Sequence, residues 1–194
     1  MKNLLKLIGA VCLMIAMSFT TADKKTVVID VSHGGQDNGI SVQGIDEKAI
    51  ALEISNKIKA LNNDPNLEII LTRETDKYMS LDKRVKRINN IKPNLVISLH
   101  ANGHEDKNES GKEIYISDKS KQRKRSGDLA LKLLHSFKDR QVEIKKANFY
   151  LLKNVDCPIA VVEIGYLTNT NERQHITSEE GQTEIATSIL RALK

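Results

Sequence analysis

The chain has 194 residues, enough for one ordinary domain with a sizeable core, and a formal net charge of +5 at pH 7. This mild basic excess does not by itself indicate a nucleic-acid partner, and 4% aromatic residues with no Trp argue against a base-stacking surface. The basic cluster at residues 119–125 (KSKQRKR) is the local exception. It is typical of a solvated helix start or loop, with contact to an anionic polymer as the alternative. We therefore expect no nucleic acid among the partners.

Residues 1–22 resemble a signal peptide, which leaves residues 23–194 as the mature domain. Lys2 and Lys6 precede an uncharged apolar run that ends in small residues suited to cleavage. The run is too short for a membrane span, so we expect export to the periplasm, the cell envelope or the medium without stable membrane insertion. Lipidation at Cys12 is the alternative, although Val11 stands where a small residue is wanted. Cleavage leaves Cys157 as the only thiol, so a core and not a disulfide must stabilise the domain.

The elements alternate between strands and helices. Apolar residues at helical spacing predict helices within residues 50–61, 81–88, 129–137 and 185–193. Apolar or alternating runs predict strands near residues 27–31, 67–71, 95–99, 113–116, 148–152 and 159–164. This order predicts a single α/β domain with a mostly parallel, mixed sheet of about six strands and helices on both faces.

Three chemically useful side chains follow or end predicted strands. His33 leaves the first strand into a loop with two glycines, and His100 leaves the third strand into a polar loop. Glu163 lies just before the end of a strongly apolar strand, where a carboxylate is costly unless it is paired or used. Each has a structural alternative, such as a locally bonded histidine or a lysine-paired glutamate. Functional groups of such sheets gather beyond the carboxyl ends of the strands, which favours one shared site.

A metal site needs a further ligand, and Glu47 is the best candidate. It lies in the first turn of the helix after the glycine loop, where a helix N-terminus favours negative charge. Asp46 is better explained as the helix cap, and Glu53 lies more than one turn further along. Two imidazoles and one carboxylate, with a position left for water, form a catalytic zinc arrangement.

These residues stand in motifs that resemble a known family. The motifs are residues 28–35 (VIDVSHGG), Glu47, residues 71–73 (LTR), 98–102 (SLHAN), 111–113 (GKE) and 162–165 (VEIG), the last followed by 167–169 (LTN). Together they are similar to the zinc-dependent N-acetylmuramoyl-L-alanine amidases of the amidase 3 family (AmiC and CwlV type), over essentially the whole mature chain. Val31 and Ser32 stand where that family usually has Pro-Gly, a departure that removes no ligand.

The resemblance implies one zinc ion per chain held by His33, Glu47 and His100, with Glu163 as the catalytic carboxylate. Arg73 matches a recurring family position and is either a substrate contact or part of a structural ion pair. The implied reaction is hydrolysis of the amide between the lactyl group of N-acetylmuramic acid and L-alanine in peptidoglycan, for wall remodelling, cell separation or autolysis. Two alternatives remain: a peptidoglycan-binding protein that is non-catalytic or activated by an unknown protein partner, and a zinc peptidase that cuts within the stem peptide.

Overall fold

The computed structural model describes residues 24–138 and 141–194. The predicted signal peptide and Cys12 lie outside these residues. This described part of the chain has eight strands: β1 (Lys25–Val31), β2 (Ser41–Val42), β3 (Ile45–Asp46), β4 (Leu67–Leu71), β5 (Leu95–Asn102), β6 (Lys112–Ile116), β7 (Val142–Lys146) and β8 (Ile159–Tyr166). Six helices accompany them: α1 (Glu47–Leu61), α2 (Leu81–Ile91), α3 (Arg123–Ser136), α4 (Tyr150–Asn154), α5 (Thr170–Thr177) and α6 (Glu179–Ala192).

Six of the strands form one mixed sheet in the order β4-β1-β5-β8-β6-β7. The central strands β1, β5 and β8 are parallel to one another, and β4 is parallel to β1. Strand β6 runs antiparallel to β8, and the edge strand β7 is parallel to β6. The short strands β2 and β3 form a separate hairpin just before α1. The predicted single α/β domain with a six-stranded mixed sheet is therefore confirmed.

The sheet separates two apolar cores. The larger core joins the sheet to α1, α3 and α6, and includes Ile29, Ile54, Leu99 and Leu133. The smaller core lies under α2 and α4 on the opposite face and is built around residues such as Val28, Ile88, Val96, Leu152 and Ile159. Because both faces are covered, β1, β5 and β8 are buried along most of their length and carry mainly apolar residues. No helix within residues 24–138 and 141–194 is long and apolar enough to cross a membrane.

One predicted strand is wrong. Residues 150–152 of the predicted strand belong to the short helix α4, and the structure instead has a strand just before this segment, at Val142–Lys146. A run of four apolar residues fits a strand or a buried helical turn equally well by periodicity alone. Here Leu151 and Leu152 are both buried, whereas Phe149 and Tyr150 are exposed, a grouping that suits a helical turn.

The predicted capping role of Asp46 also needs correction. Asp46 occupies the N-cap position of α1, but its side chain makes no capping hydrogen bond. Its carboxylate accepts a hydrogen bond from Ser41 Oγ at 2.5 Å, across the β2–β3 hairpin. Asp46 therefore stabilises the hairpin that leads into the helix.

Candidate metal centre and active site

Three side chains from different parts of the chain converge at the carboxyl edge of the sheet. His33 Nε2 lies 3.0 Å from Glu47 Oε1, and His100 Nδ1 lies 2.9 Å from the same oxygen. One ligand atom from each residue falls within 4.8 Å of the others, so this group can hold a metal ion. Two imidazole nitrogens and one carboxylate oxygen are the donor set of catalytic zinc sites that keep a fourth position open.

The fold positions each of these donors separately. His33 lies two residues beyond the end of β1 and has a left-handed backbone with φ of 54°, whereas His100 belongs to β5 itself. Glu47 is the first residue of α1, and its carboxylate also accepts hydrogen bonds from the backbone N–H groups of Ile40 and Ala101, at 2.9 and 3.2 Å. The carboxylate is thereby fixed between the helix start and the neighbouring strand.

The glycine loop leaves room for the cluster. Gly39 has a φ of 66°, and a Cβ atom at this position would lie 2.8 Å from His33 Nε2 and would also collide with the Glu47 carboxylate. A side chain here would therefore fill the space between the donors. The open space and the donor set both fit a zinc ion.

The titration of the three groups is coupled in the absence of metal. Burial pushes the pKa of Glu47 upwards, but hydrogen bonds with His100 and His33 outweigh burial and hold that pKa far below its usual range. Burial lowers the pKa values of His33 and His100, and their contacts with Glu47 more than reverse this effect. A metal ion at this site would compete with protons, because its ligand atoms must be deprotonated.

A fourth residue, Asp37, orients one of the imidazoles. Its Oδ1 lies 2.9 Å from His33 Nδ1, so a hydrogen bond from Nδ1 leaves Nε2 as the ligand atom. Asp37 also accepts the backbone N–H of Gly39 at 3.1 Å, which ties the carboxylate to the glycine loop. This role was not predicted from the sequence. The available signal was an acidic residue in the same loop, four positions after the candidate ligand His33.

Glu163 lies beside the metal donors but is not one of them. It belongs to β8 and pairs in register with His100 on β5. Its Oε2 atom is buried and has no hydrogen-bond partner within the described residues. Burial raises the pKa of Glu163 to about 7, partly opposed by His100. Glu163 lines the same cavity as His33 and His100, so it is a carboxylate free to exchange protons with a ligand there.

The two rival carboxylates do not join the cluster. Asp46 bonds to Ser41, as described above, and Glu53 accepts a hydrogen bond from Gln182 Nε2 of α6 at 2.7 Å. Among the described parts of the chain, the group of His and acidic side chains that could hold a metal is formed by His33, Glu47 and His100.

Arg73 holds the backbone beneath the metal centre. Its guanidinium donates to the carbonyl oxygens of Ser32 and Lys48, both at 2.7 Å, and of Val31 and Thr75, both at 3.2 Å. Only 5% of Arg73 is exposed, so its donors are committed to backbone oxygens. Of the two alternatives left open by the sequence, these contacts favour a structural role for Arg73, through backbone oxygens, over a substrate contact.

A second buried arginine, Arg84 on α2, was not found from the sequence. It forms an ion pair with Asp30 at 2.9 Å and donates to the carbonyl oxygens of Val31, His33 and Met79. Together the two arginines bind three consecutive carbonyl groups at the end of β1, the last of them that of His33 itself. The left-handed conformation of His33 is therefore held from below by charge-assisted hydrogen bonds.

Comparison with known proteins agrees with this geometry. The family model for amidase 3, described as N-acetylmuramoyl-L-alanine amidase, matches residues 27–194. The catalytic domain of the amidase CwlV from Bacillus (Paenibacillus) polymyxa var. colistinus is 31% identical, with a TM-score of 0.79, and the match covers 87% of this chain and 96% of that one.

Two further relatives extend the comparison. The amidase LytC of Bacillus subtilis is 29% identical over 85% of this chain, which spans 34% of LytC. The CwlD amidase from Clostridioides difficile, solved in complex with the GerS lipoprotein, is 27% identical with a TM-score of 0.75, and the match covers 87% of this chain and 96% of that one. Because the family model covers nearly all of the described residues, the chain belongs to the amidase 3 family and is an enzyme of the N-acetylmuramoyl-L-alanine amidase type.

Proposed function

We propose that this amidase is zinc-dependent, with one Zn²⁺ per chain held by His33, Glu47 and His100, and that Glu163 is its catalytic carboxylate. The observation that carries the proposal is the buried, unpartnered Oε2 of Glu163 beside a group of donors suited to zinc. A buried carboxylate that lacks partners is costly for the fold, and such groups are typical of active sites. The proposed substrate is peptidoglycan.

The reaction hydrolyses the amide between the lactyl group of N-acetylmuramic acid and L-alanine. Bound zinc supplies Lewis acidity, which lowers the pKa of a water molecule and polarises the amide carbonyl. Glu163 takes a proton from the attacking water as the oxygen–carbon bond forms, and gives it to the amine nitrogen as the carbon–nitrogen bond breaks. The products are a glycan with a free lactyl carboxylate and a peptide with a new amino terminus.

The proposed setting is the cell envelope, where the enzyme acts in wall remodelling, cell separation or autolysis. The predicted signal peptide and the wall-related names of relatives support this setting. The complex of CwlD with a lipoprotein raises the question of a protein partner for this chain. Co-purification of the exported protein from envelope extracts would answer it.

The deciding experiment is mass spectrometry of purified peptidoglycan fragments after incubation with residues 23–194 and zinc. Free stem peptides that begin with L-alanine are expected from the wild type and absent from a Glu163→Gln digest. Cleavage inside the stem would instead identify a peptidase, and intact fragments with zinc-loaded protein would contradict the proposed activity.

The division of roles among the four residues is tested by metal content. We expect His33→Ala and His100→Ala proteins to lose zinc, because each removes one of three donors. Glu163→Ala should keep zinc and lose turnover. If Glu163→Ala protein were metal-free while still folded, Glu163 would be a ligand and the proposed division would be wrong.

A further inference from the structure

A cavity extends from the candidate metal centre down one face of the sheet. It has a volume of about 490 Å³, within the usual range for ligand sites. His33, His100 and Glu163 border its upper end. We call it the aromatic cavity, and it is lined further down by Tyr78, Leu81, Phe149, Tyr150, Arg84 and Asp30.

Exposed apolar side chains are concentrated around this cavity. Seven large hydrophobic residues are exposed among the described residues, and four of them, Tyr78, Leu81, Phe149 and Tyr150, line it. Tyr78 and Leu81 come from the start of α2, whereas Phe149 and Tyr150 come from the start of α4. Exposed apolar side chains clustered at a cavity mark a binding surface more often than scattered ones do.

The rim of the cavity is held by contacts among its own residues and with neighbouring side chains. The ring of Phe149 packs against Tyr115 with centroids 5.0 Å apart, and the Tyr150 hydroxyl donates a hydrogen bond to Asp82. On the other side, Arg84 binds the Met79 carbonyl at 3.0 Å, next to the start of α2. The walls are therefore positioned before any ligand arrives, which reduces the entropy lost on binding.

The floor of the cavity contains charges that neutralise each other. Asp30 accepts hydrogen bonds from Arg84, from Thr72 Oγ1 at 3.0 Å and from Ser98 Oγ at 2.7 Å. Arg84 also donates hydrogen bonds to the backbone carbonyl oxygens of Met79, Val31 and His33. Among the described residues that line the cavity, Arg84 is the only lysine or arginine, and its charge is balanced by Asp30. A ligand carboxylate at this floor would lose its hydration without an unpaired lysine or arginine to compensate it.

The location of Glu163 fixes which half of the substrate faces the cavity. The group that protonates the departing amine must lie within hydrogen-bond reach of its nitrogen. Because Glu163 borders the aromatic cavity, the nitrogen and its substituent face the same space. This step rests on the proposed function.

We propose that the aromatic cavity is the subsite for the stem peptide on the amine side of the cleaved bond, and that it selects stems whose residue after L-alanine is uncharged. The apolar rim contacts the peptide beyond L-alanine, and the neutral floor disfavours a carboxylate. The enzyme should therefore prefer a stem with a carboxamide at that residue over the same stem with a carboxylate.

The test uses three synthetic N-acetylmuramoyl peptides: one that ends at L-alanine amide, and two longer ones that differ only in carboxamide or carboxylate at the next residue. Wild-type protein should hydrolyse the carboxamide form with a kcat/KM about tenfold higher than the carboxylate form. Phe149→Ala and Leu81→Ala should each lower kcat/KM about tenfold on the longer carboxamide substrate and much less on the short one. Leu131→Ala is the matched control, because Leu131 is also half exposed but lies on α3 outside the cavity.

Equal losses on the short and long substrates would overturn the inference, as would a preference for the carboxylate. A loss that instead grows with added sugar rings would assign the cavity to the glycan and also overturn it. If wild-type protein releases no L-alanine peptide at all, the proposed function fails. Calorimetry with the two free peptides then decides the inference: tighter binding of the carboxamide form, weakened by Phe149→Ala, supports the subsite, and no binding rejects it.

Discussion

Glu113 and Glu163 are neighbours in the sheet, yet their surroundings are opposite. They pair in register across β6 and β8. The Glu113 carboxylate accepts hydrogen bonds from Tyr166 and Tyr115 hydroxyls at 2.9 and 2.7 Å, from Asn102 Nδ2 at 3.1 Å, and from Lys145. Glu163 has a buried oxygen with no partner in the described residues.

The pKa values of the two carboxyl groups diverge accordingly. Burial pushes the pKa of Glu113 upwards, but the hydrogen bonds from Lys145, Tyr115 and Tyr166 outweigh it and bring that pKa below its ordinary value. Burial dominates at Glu163 and raises its pKa to about 7. Burial alone therefore does not identify a catalytic carboxylate. What distinguishes Glu163 is burial without compensating donors, beside groups that can hold a metal.

The largest expected effect is the loss of turnover in Glu163→Gln. The amide cannot accept the proton of the attacking water, and general acid–base catalysis typically contributes about 10²–10⁴-fold, so we expect kcat to fall by about 10³-fold. Release of stem peptide under saturating substrate measures kcat, and zinc content and thermal unfolding verify that the protein is intact. Glu113→Gln serves as the neighbouring control and should lose much less activity. Similar losses in the two variants would abolish the functional distinction between the carboxylates.

The second-largest effect is on stability. Here we expect the order of the two variants to be reversed, so that Glu113→Gln is destabilised more than Glu163→Gln. Glu113→Gln places an NH₂ group where one carboxylate oxygen accepts two hydrogen bonds, so donors would face donors. Loss of hydrogen bonds to a buried charged group costs about 1.5–3 kcal/mol, and we expect about 2 kcal/mol from urea unfolding of chelator-treated protein. Glu163→Gln should cost less or be neutral, because it removes no hydrogen bond from Oε2. If Glu113→Gln were as stable as the wild type, the hydrogen bonds to the Glu113 carboxylate would make no net contribution to the free energy of unfolding.

The sequence predicted most of the fold because the strong signals were local. Buried strands such as β1, β5 and β8 are apolar along their length, and α1 and α6 carry helical spacing, so their positions follow from burial. The strand predicted at residues 148–152 was wrong because a short apolar run has no period that distinguishes a strand from a helical turn. The edge strand β7 and the helix α5 were missed since each is short and mostly polar, and their placement depends on contacts with distant strands and helices.

The convergence of His33, His100 and Glu163 was predictable because parallel strands bring their carboxyl ends to one edge. The residues that hold them were not. Arg84 lies 51 positions from His33 and reaches its carbonyl only because α2 packs under β1. A buried arginine bound to backbone oxygens leaves no mark in the sequence that separates it from an exposed one. The same limit applies to Glu113, which stood in a quoted motif without any sign of its four donors.

The stability of the protein should depend on pH with opposite signs for the two carboxyl groups. Glu113 has a lowered folded pKa, so its stabilisation is present above the ordinary value of 4.5 and is lost as pH falls through the folded value. Glu163 has a raised folded pKa, so its contribution is present below 4.5 and is lost as pH rises towards about 7. Unfolding free energies of metal-free wild type, Glu113→Gln and Glu163→Gln between about pH 3 and 8 should separate the two trends. Parallel pH profiles for the two differences would contradict the assigned environments.

The smallest effect is expected at Lys145, the charged donor to Glu113. Lys145 is paired with Glu113 but its side chain is 41% exposed, so solvent screens much of the attraction. Lys145→Met keeps the aliphatic stem and removes the charge, and should destabilise the protein by at most about 1 kcal/mol. Because the two tyrosine hydroxyls and Asn102 still bind the carboxylate, its pKa should rise only part of the way towards that of Glu163. NMR titration of the Glu113 side chain measures this rise. A pKa as high as that of Glu163 would mean that a single lysine, and not the set of donors, separates Glu113 from the proposed catalytic carboxylate.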